Sequence, residues 1–313
     1  MLTARSRLLA AAHSGECGKI RKGKIMSWEA IERVGRSIVL QVGELIRERM
    51  GTITTANVHI KGVSDYVTDV DMKSEALIID AVRSHFPDHR ILSEETENHN
   101  RLEDGITWVI DPLDGTTNFI HGFPFVAVSV AVCEHRQPVL GFVLDPLRRE
   151  LFEARRGGGA WLDGRRLGLR PVSALDECLI ATGFPHRSRA LVDPYLRTFK
   201  AIFQKTSGIR RAGAAALDLA YLAAGRVDGF WEAGLKAWDV AAGSLLIEEA
   251  GGAITDFWGG GCYLYNGHVL AGGAMVHPFL LEQVGSLMTP AMDAERAQKG
   301  ETDPPDCREA IRK

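Results

Sequence analysis

Apolar residues recur at helical spacing through Trp28, Ile31, Val34, Ile38, Val42, Leu45 and Ile46, bracketed by Ser27 and Gly51. That spacing keeps one face apolar for several turns, with Ser27 suited to cap the start and Gly51 to end it. The other face mixes Glu29, Glu32, Arg33, Arg36, Glu44 and Arg47. Lacking a basic excess, it favours packing on a core over lying on a membrane. A second helix is predicted from Met72 to Phe86, closed by Pro87. Thr68 or Asp69 would cap it, Asp71 would fall in its first turn, and the polar stretch from Lys61 leading into it reads as a loop.

Further along, Arg90 to Thr96 is a short apolar strand ending in Glu94 and Glu95. In extended backbone these two point to opposite faces, so only one looks into a given site. Thr107 to Ile110 reads as a buried strand. The segments 125–132 and 139–144 form a hairpin around His135–Pro138, and 150–154 and 160–162 extend the sheet through turns at 157–159 and 163–164. From Cys178 the rhythm changes to strands at 179–182, 228–232, 253–256 and 269–271, alternating with helices at 194–204, 214–224, 238–250 and 277–288. The chain thus divides into an α+β half over 26–175 and an α/β half over 176–289. Residues 1–25, basic and almost free of acids, have the composition of an organellar transit segment but read rather as a disordered extension or as sequence upstream of a start at Met26. The polar tail 290–313 reads as frayed.

Composition narrows the function without choosing it. A chain of 313 residues with 45% hydrophobic content can bury one large core or two joined ones. A net charge of -3 argues against a nucleic-acid groove. Cys17, Cys133, Cys178, Cys262 and Cys307 are scattered and odd in number, indicating neither a disulfide framework nor a zinc site. No apolar run approaches the ~20 residues of a membrane helix, and a reducing cytoplasm is the expected location.

The chemistry concentrates in Asp111-Pro-Leu-Asp-Gly-Thr-Thr-Asn118, at the carboxyl end of the predicted strand, where α/β sheets place their sites. Pro112 and Leu113 suit a tight turn that brings Asp111 and Asp114 to one side. Two carboxylates so close repel unless a cation lies between them, and hard oxygen donors favour Mg²⁺. Gly115 allows close backbone approach, and the helix start that follows offers N–H groups to an anion. Taken alone, Asp-Pro and Asp-Gly are equally turn dipeptides, Asp71 a helix-stabilising acid and Asp239 a cap behind a core Trp238. The Ala-Ala-Gly after Val240 leaves a thin helix start that would let another element come close.

Four separated parts, in order, carry a resemblance over Met26 to Met288: Lys61 through Asp71, Ser93-Glu-Glu95, Asp111 through Asn118, and Trp238-Asp-Val-Ala-Ala-Gly243. Together they resemble the inositol monophosphatase family, its bacterial members in particular. The resemblance implies an αβαβα sandwich and a homodimeric, Mg²⁺-dependent, Li⁺-inhibited phosphomonoesterase holding two or three ions, with inositol monophosphate or a related sugar or polyol phosphate as substrate. It implies that Glu94, Asp111, Asp114, Asp239 and the main-chain carbonyl of Leu113 hold metal. Asp71 and Thr116 would activate the attacking water, with Glu95 near a further ion. Gly115 and Thr116 would hold the phosphate, Glu232 would accept from a substrate hydroxyl, Gly213, Ala214 and Ala215 would line the same side, and Lys61 would lie in a mobile loop. The residue types agree: clustered carboxylates can hold ions that neutralise a phosphoryl group, and no cysteine or histidine is placed to form a phosphoenzyme.

Some positions depart from the family pattern. Ala214 stands where a hydroxyl residue is common, His186 follows Gly183-Phe-Pro185 where an aromatic residue is common, and Lys236 precedes Asp239 by three positions. Fructose bisphosphate, histidinol phosphate and a nucleotide phosphate such as NADP or adenosine bisphosphate are therefore alternative substrates. A regulatory, protein-binding dimer with weak activity is the alternative of another class.

Overall fold

The structure is a computed structural model describing residues 27–52, 58–62, 65–96, 102–185 and 189–298. The expectations for residues 1–25 and for His186 lie outside these.

Helix α1 (Trp28–Arg49) follows Ser27 in extended backbone, as its periodicity predicts, and buries Ile31, Ile38, Val39, Val42 and Ile46. Gly35 lies on the same face, where an added Cβ would meet the Phe142 ring at 2.6 Å. The stretch expected as a loop is instead an antiparallel hairpin of β1 (Val58–Gly62) and β2 (Asp65–Thr68). Its β-branched residues, Val58, Ile60, Val67 and Thr68, suit extended backbone. Helix α2 (Asp69–His85) starts directly from β2, with Thr68 as N-cap and Asp71 completing a capping box.

Strands β3 (Arg90–Ser93) and β4 (Ile106–Asp114) are parallel. After the short helix α3 (Thr116–Ile120), β5 (Ala127–Glu134), β6 (Gln137–Asp145), β7 (Glu150–Arg155), β8 (Gly159–Leu162) and β9 (Arg165–Arg166) continue the sheet antiparallel, in sequence order. The hairpin between β5 and β6 turns through His135 and Arg136, both at positive φ, the backbone of a two-residue primed turn without its usual glycine.

The second half comprises β10 (Leu179–Thr182), α4 (Val192–Phe203), β11 (Gly208–Arg210), α5 (Ala215–Ala223), β12 (Gly229–Ala233), α6 (Ala237–Glu249), β13 (Ala253–Thr255), α7 (Tyr263–Asn266), β14 (His268–Gly272), α8 (Val276–Leu287) and α9 (Thr289–Gln298). Its sheet runs β11-β10-β12-β14-β13, parallel through β12 and antiparallel beyond. The strand β11 had no distinct signal in the sequence. Up to Gln298 the tail expected to fray is α9, anchored by the buried Met292; the expectation for 299–313 lies outside the described residues.

Three apolar clusters define the layers. One joins α1 and α2 to the first face of the seven-stranded sheet. The second takes the other face of that sheet, α5 and α6, and one face of the five-stranded sheet. The third covers the far face of the five-stranded sheet with α4, α8 and α9. This is the expected αβαβα sandwich. Helix α6 is buried almost all round, consistent with Leu, Ile, Val and Ala on every side. Its thin start permits the close approach anticipated: a Cβ on Gly141 would stand 2.9 Å from the Ala242 carbonyl oxygen. Cys133 and Cys178 are buried free thiols. Cys262 is disulfide-bonded, which the odd, scattered cysteine set did not suggest.

Candidate functional site

The acidic motif does not follow its strand but ends it. Strand β4 extends through Asp114, and its pairing with β5 is regular up to Asp111, then irregular before Asp114. The break is local: Asp111 Oδ1 accepts from the Leu113 N–H at 3.1 Å, an Asx-type turn inside the strand end. Gly115 then takes φ 89°, and a Cβ there would lie 3.1 Å from the Phe125 carbonyl oxygen and 3.3 Å from that of Gly213. Glycine is required twice over, by the left-handed backbone and by the approach of 213–214.

A pocket of about 410 Å³ opens over this turn, lined by Glu94, Asp111, Leu113, Asp114, Gly115, Thr116, Gly213, Ala215, Glu232 and Asp239 among others. The structure thus gathers most of the predicted residues from both halves of the chain. Glu94 lines the pocket and Glu95 does not; both stand in a bend just past the end of β3. The backbone of Glu95 and Thr96 is held instead by Glu75, whose Oε1 accepts both N–H groups at 3.1 Å. Glu75 is buried on α2, and its isolated place on a helical face had singled it out for nothing.

Asp114 does double duty. Its Oδ2 accepts from the Ala216 N–H at 2.7 Å, and the nearby N–H groups of Ala215 and Leu217 also favour its charged form. An acid of the first half thereby caps α5 of the second. Asn118 makes a parallel tie, donating to the Phe125 carbonyl at 2.7 Å and the Ala212 carbonyl at 2.9 Å. Asp239 stands at the third position of α6, not at its cap, and accepts from the Lys236 N–H at 2.7 Å.

Burial and like charge shape the electrostatics. Asp111 is held well above the usual carboxylate range by burial first, then by Glu94, Asp114 and Asp239. Burial, with Asp239 beside it, pushes Asp114 up to about 7 in spite of its N–H donors. Among the described residues, no three His, Cys, Asp or Glu side chains already stand in a closed ligand set. The fit to a cation therefore rests on the chemistry of the donors. Four acids on one pocket, two of them holding protons beyond their ordinary range, are what a hard divalent ion would relieve.

Asp71 lies next to this cluster. Thr116 donates its hydroxyl hydrogen toward Asp71 Oδ1 at 2.9 Å and toward the Leu113 carbonyl at 3.1 Å, one at a time. The other Asp71 oxygen accepts from the Thr68 N–H at 2.9 Å and from the Thr68 hydroxyl. Burial raises the Asp71 carboxyl above its ordinary value, and the hydrogen bonds from Thr68 and Thr116 oppose the rise. The first-turn acid is both a capping-box member and the partner of a pocket threonine.

Two expectations need correction, and a third is not tested. Ala214 is 1% exposed and belongs to the core shared by the two halves, so it does not line the pocket. Lys236 is an exposed N-cap outside the pocket wall. The side chain of Lys61 lies outside the described residues, and its backbone belongs to β1. Conversely, Tyr66, Phe184, Arg211 and Leu235 line the pocket without having been singled out.

Comparison with known proteins agrees with the geometry. The model of the inositol monophosphatase family matches residues 27–289. A protein of Pseudomonas aeruginosa named Nus factor SuhB is 46% identical over 256 residues, covering 80% of this chain and 94% of its own. The crystal structure of the extragenic suppressor protein suhB of Bartonella henselae superimposes with a TM-score of 0.78 at 39% identity, over 82% of this chain and 98% of that one. An IMPase of Thermotoga maritima gives 0.74 at 32% identity, over 83% and 99%. With its acids gathered from both halves onto one pocket, the chain belongs to the inositol monophosphatase family.

Proposed function

We propose that the protein hydrolyses inositol monophosphate or a related sugar or polyol phosphate monoester by in-line attack of water, in the presence of Mg²⁺. The observation that carries this reading is the convergence of Glu94, Asp111, Asp114 and Asp239 on a pocket that also holds Thr116, hydrogen-bonded to Asp71 at 2.9 Å. Mg²⁺ held by those four acids and the Leu113 carbonyl would, when bound, neutralise phosphoryl charge and acidify water.

The chain's own groups supply the rest. Gly115 and Thr116 seat the phosphate at the open start of α3. Water donates to Thr116 Oγ1 while Thr116 donates to Asp71 Oδ1, so the proton leaving the nucleophile has a path to a buried carboxylate whose raised pKa suits a base. Glu232, 7% exposed and on the pocket wall, accepts from a hydroxyl of the alcohol part. Its carboxyl fills the space over Gly183, where a Cβ would come within 1.9 Å of it. Cysteine and histidine are absent from the described lining, which favours direct attack over a phosphoenzyme at such a residue.

Phosphate release from inositol, sugar, histidinol and nucleotide phosphates, with Mg²⁺, with EDTA and with Li⁺, tests the reading. Magnesium-dependent, lithium-sensitive release is expected; folded protein inert toward every ester would refute it.

A second reading draws on relatives named Nus factor: a regulatory, protein-binding role exercised as a cytoplasmic homodimer beside hydrolysis. A growth defect on gene deletion that an inactive Asp111→Asn chain restores would support it. Restoration only by the active chain would leave hydrolysis as the role.

A further inference from the structure

Arg211 is the one basic side chain among the described lining residues of a pocket otherwise rich in acids. Yet among the described residues it forms neither an ion pair nor a hydrogen bond. Its guanidinium lies over the Phe184 ring, 5.0 Å from the centroid. Phe184 is itself 48% exposed and set edge-on against the buried Tyr195. Beneath the guanidinium is Gly213 at φ 92°, where an added Cβ would stand 2.7 Å from Arg211 Nη1. A missing side chain below and an aromatic face alongside hold the cation at the pocket wall without using up its donors.

The position of this cation is informative. The Glu232 carboxyl fills the space over Gly183 and the Arg211 guanidinium lies over the ring of the neighbouring Phe184, so the two share one flank of the pocket. Under the proposed function, that flank receives the alcohol part of the ester, while Asp111, Asp114 and Thr116 lie on the phosphoryl side. A guanidinium with donors to spare matches a carboxylate or phosphate, to which it can offer two parallel N–H groups. A neutral polyol would offer it only uncharged hydroxyl acceptors, without the charge-assisted, two-point match.

We infer that Arg211 recognises a second anionic group on the alcohol part of the substrate, so that the preferred esters are phosphomonoesters bearing a further phosphate or carboxylate. This rests on the phosphatase reading and narrows its substrate class. Because such a contact is made in both ground and transition states, it should appear mainly in KM.

The test compares esters in pairs: glucose 1,6-bisphosphate against glucose 1-phosphate, and 2-phosphoglycerate against glycerol 2-phosphate. The pairs separate phosphate from carboxylate as the second anion. The wild-type protein should favour the doubly anionic member of at least one pair. Arg211→Gln should lower that preference about tenfold, through KM, as expected for losing a partly exposed charge-assisted contact, and Arg211→Lys should restore part of it. Calorimetric titration of the same esters should show the matching loss in affinity. Equal losses on both members of each pair, or a preference that survives Arg211→Gln, would overturn the inference. No phosphate release from any of the four would instead refute the phosphatase reading, and the calorimetric preference would still decide the role of Arg211.

Discussion

Acidification should stabilise the metal-free protein over a range where many proteins change little. Asp114 rises from an ordinary value of 3.8 to about 7 because it is buried and faces Asp239. The folded state keeps this proton to higher pH than the unfolded chain does. Its contribution is therefore fully present below the unfolded pKa and is lost as pH climbs through the folded one. A rise of about three pH units, at ~1.36 kcal/mol each, sets a ceiling of about 4 kcal/mol. For a chain of this size that corresponds to a fall in Tm on the order of 8 °C. Asp111, shifted in the same direction, adds to the trend. Bound Mg²⁺ favours the ionised carboxylates and should flatten or reverse it. Thermal melts in EDTA and in Mg²⁺, from about pH 5 to about pH 8, measure both slopes. Asp114→Asn keeps a carbonyl acceptor for the α5 N–H groups but cannot ionise, and should remove much of the metal-free slope. A metal-free Tm that is flat or rises with pH, or a slope unaltered in Asp114→Asn, would refute the argument.

Thr116→Ala removes the hydroxyl that donates to Asp71, the proposed proton path; kcat should fall on the order of 10²-fold or more with Mg²⁺ binding largely kept, and Thr116→Ser should recover part of it. Asp111→Asn and Asp239→Asn should each abolish most turnover while the fold persists, since an amide is a poorer ligand for Mg²⁺; circular dichroism and phosphate release together check this, and near-normal turnover would sink the site assignment. Gly141→Ala must displace α6, because the new Cβ meets the Ala242 backbone at 2.9 Å. A loss of about 1–3 kcal/mol in denaturant unfolding is expected, together with weaker activity because α6 carries Asp239.

How much was legible beforehand depends on the range of the interaction. α1 was readable because its apolar stripe and stop are local, although Ser27 takes the N-cap position without a side-chain capping bond. The acid at Asp111 was readable because residue type and spacing already state a donor chemistry. The hairpin before α2 was missed: Lys61, Ser64, Asp65 and Asp69 read as a polar loop, whereas strand pairing between β1 and β2 depends on partners across the turn. The start of the tail, up to Gln298, was taken as frayed because it is polar, although Met292 has a core to enter. Ala214 was assigned to the substrate wall by position alone. A backbone at an element start has two sides, and only packing shows which one faces the core.

The sequence by itself determined the repertoire: which segments can be helices or strands, and that hard oxygen donors are present in number. Tertiary structure alone decided the assembly. It closed Glu94, Asp111, Asp114 and Asp239 onto one pocket, made Asp114 the cap of a helix a hundred residues away in sequence, and set Arg211 over Phe184. Periodicity and residue chemistry act over a few neighbouring residues and leave a trace in the string of letters. Burial, repulsion between acids from separate strands, and the clearance above a glycine exist only once distant segments have been packed together.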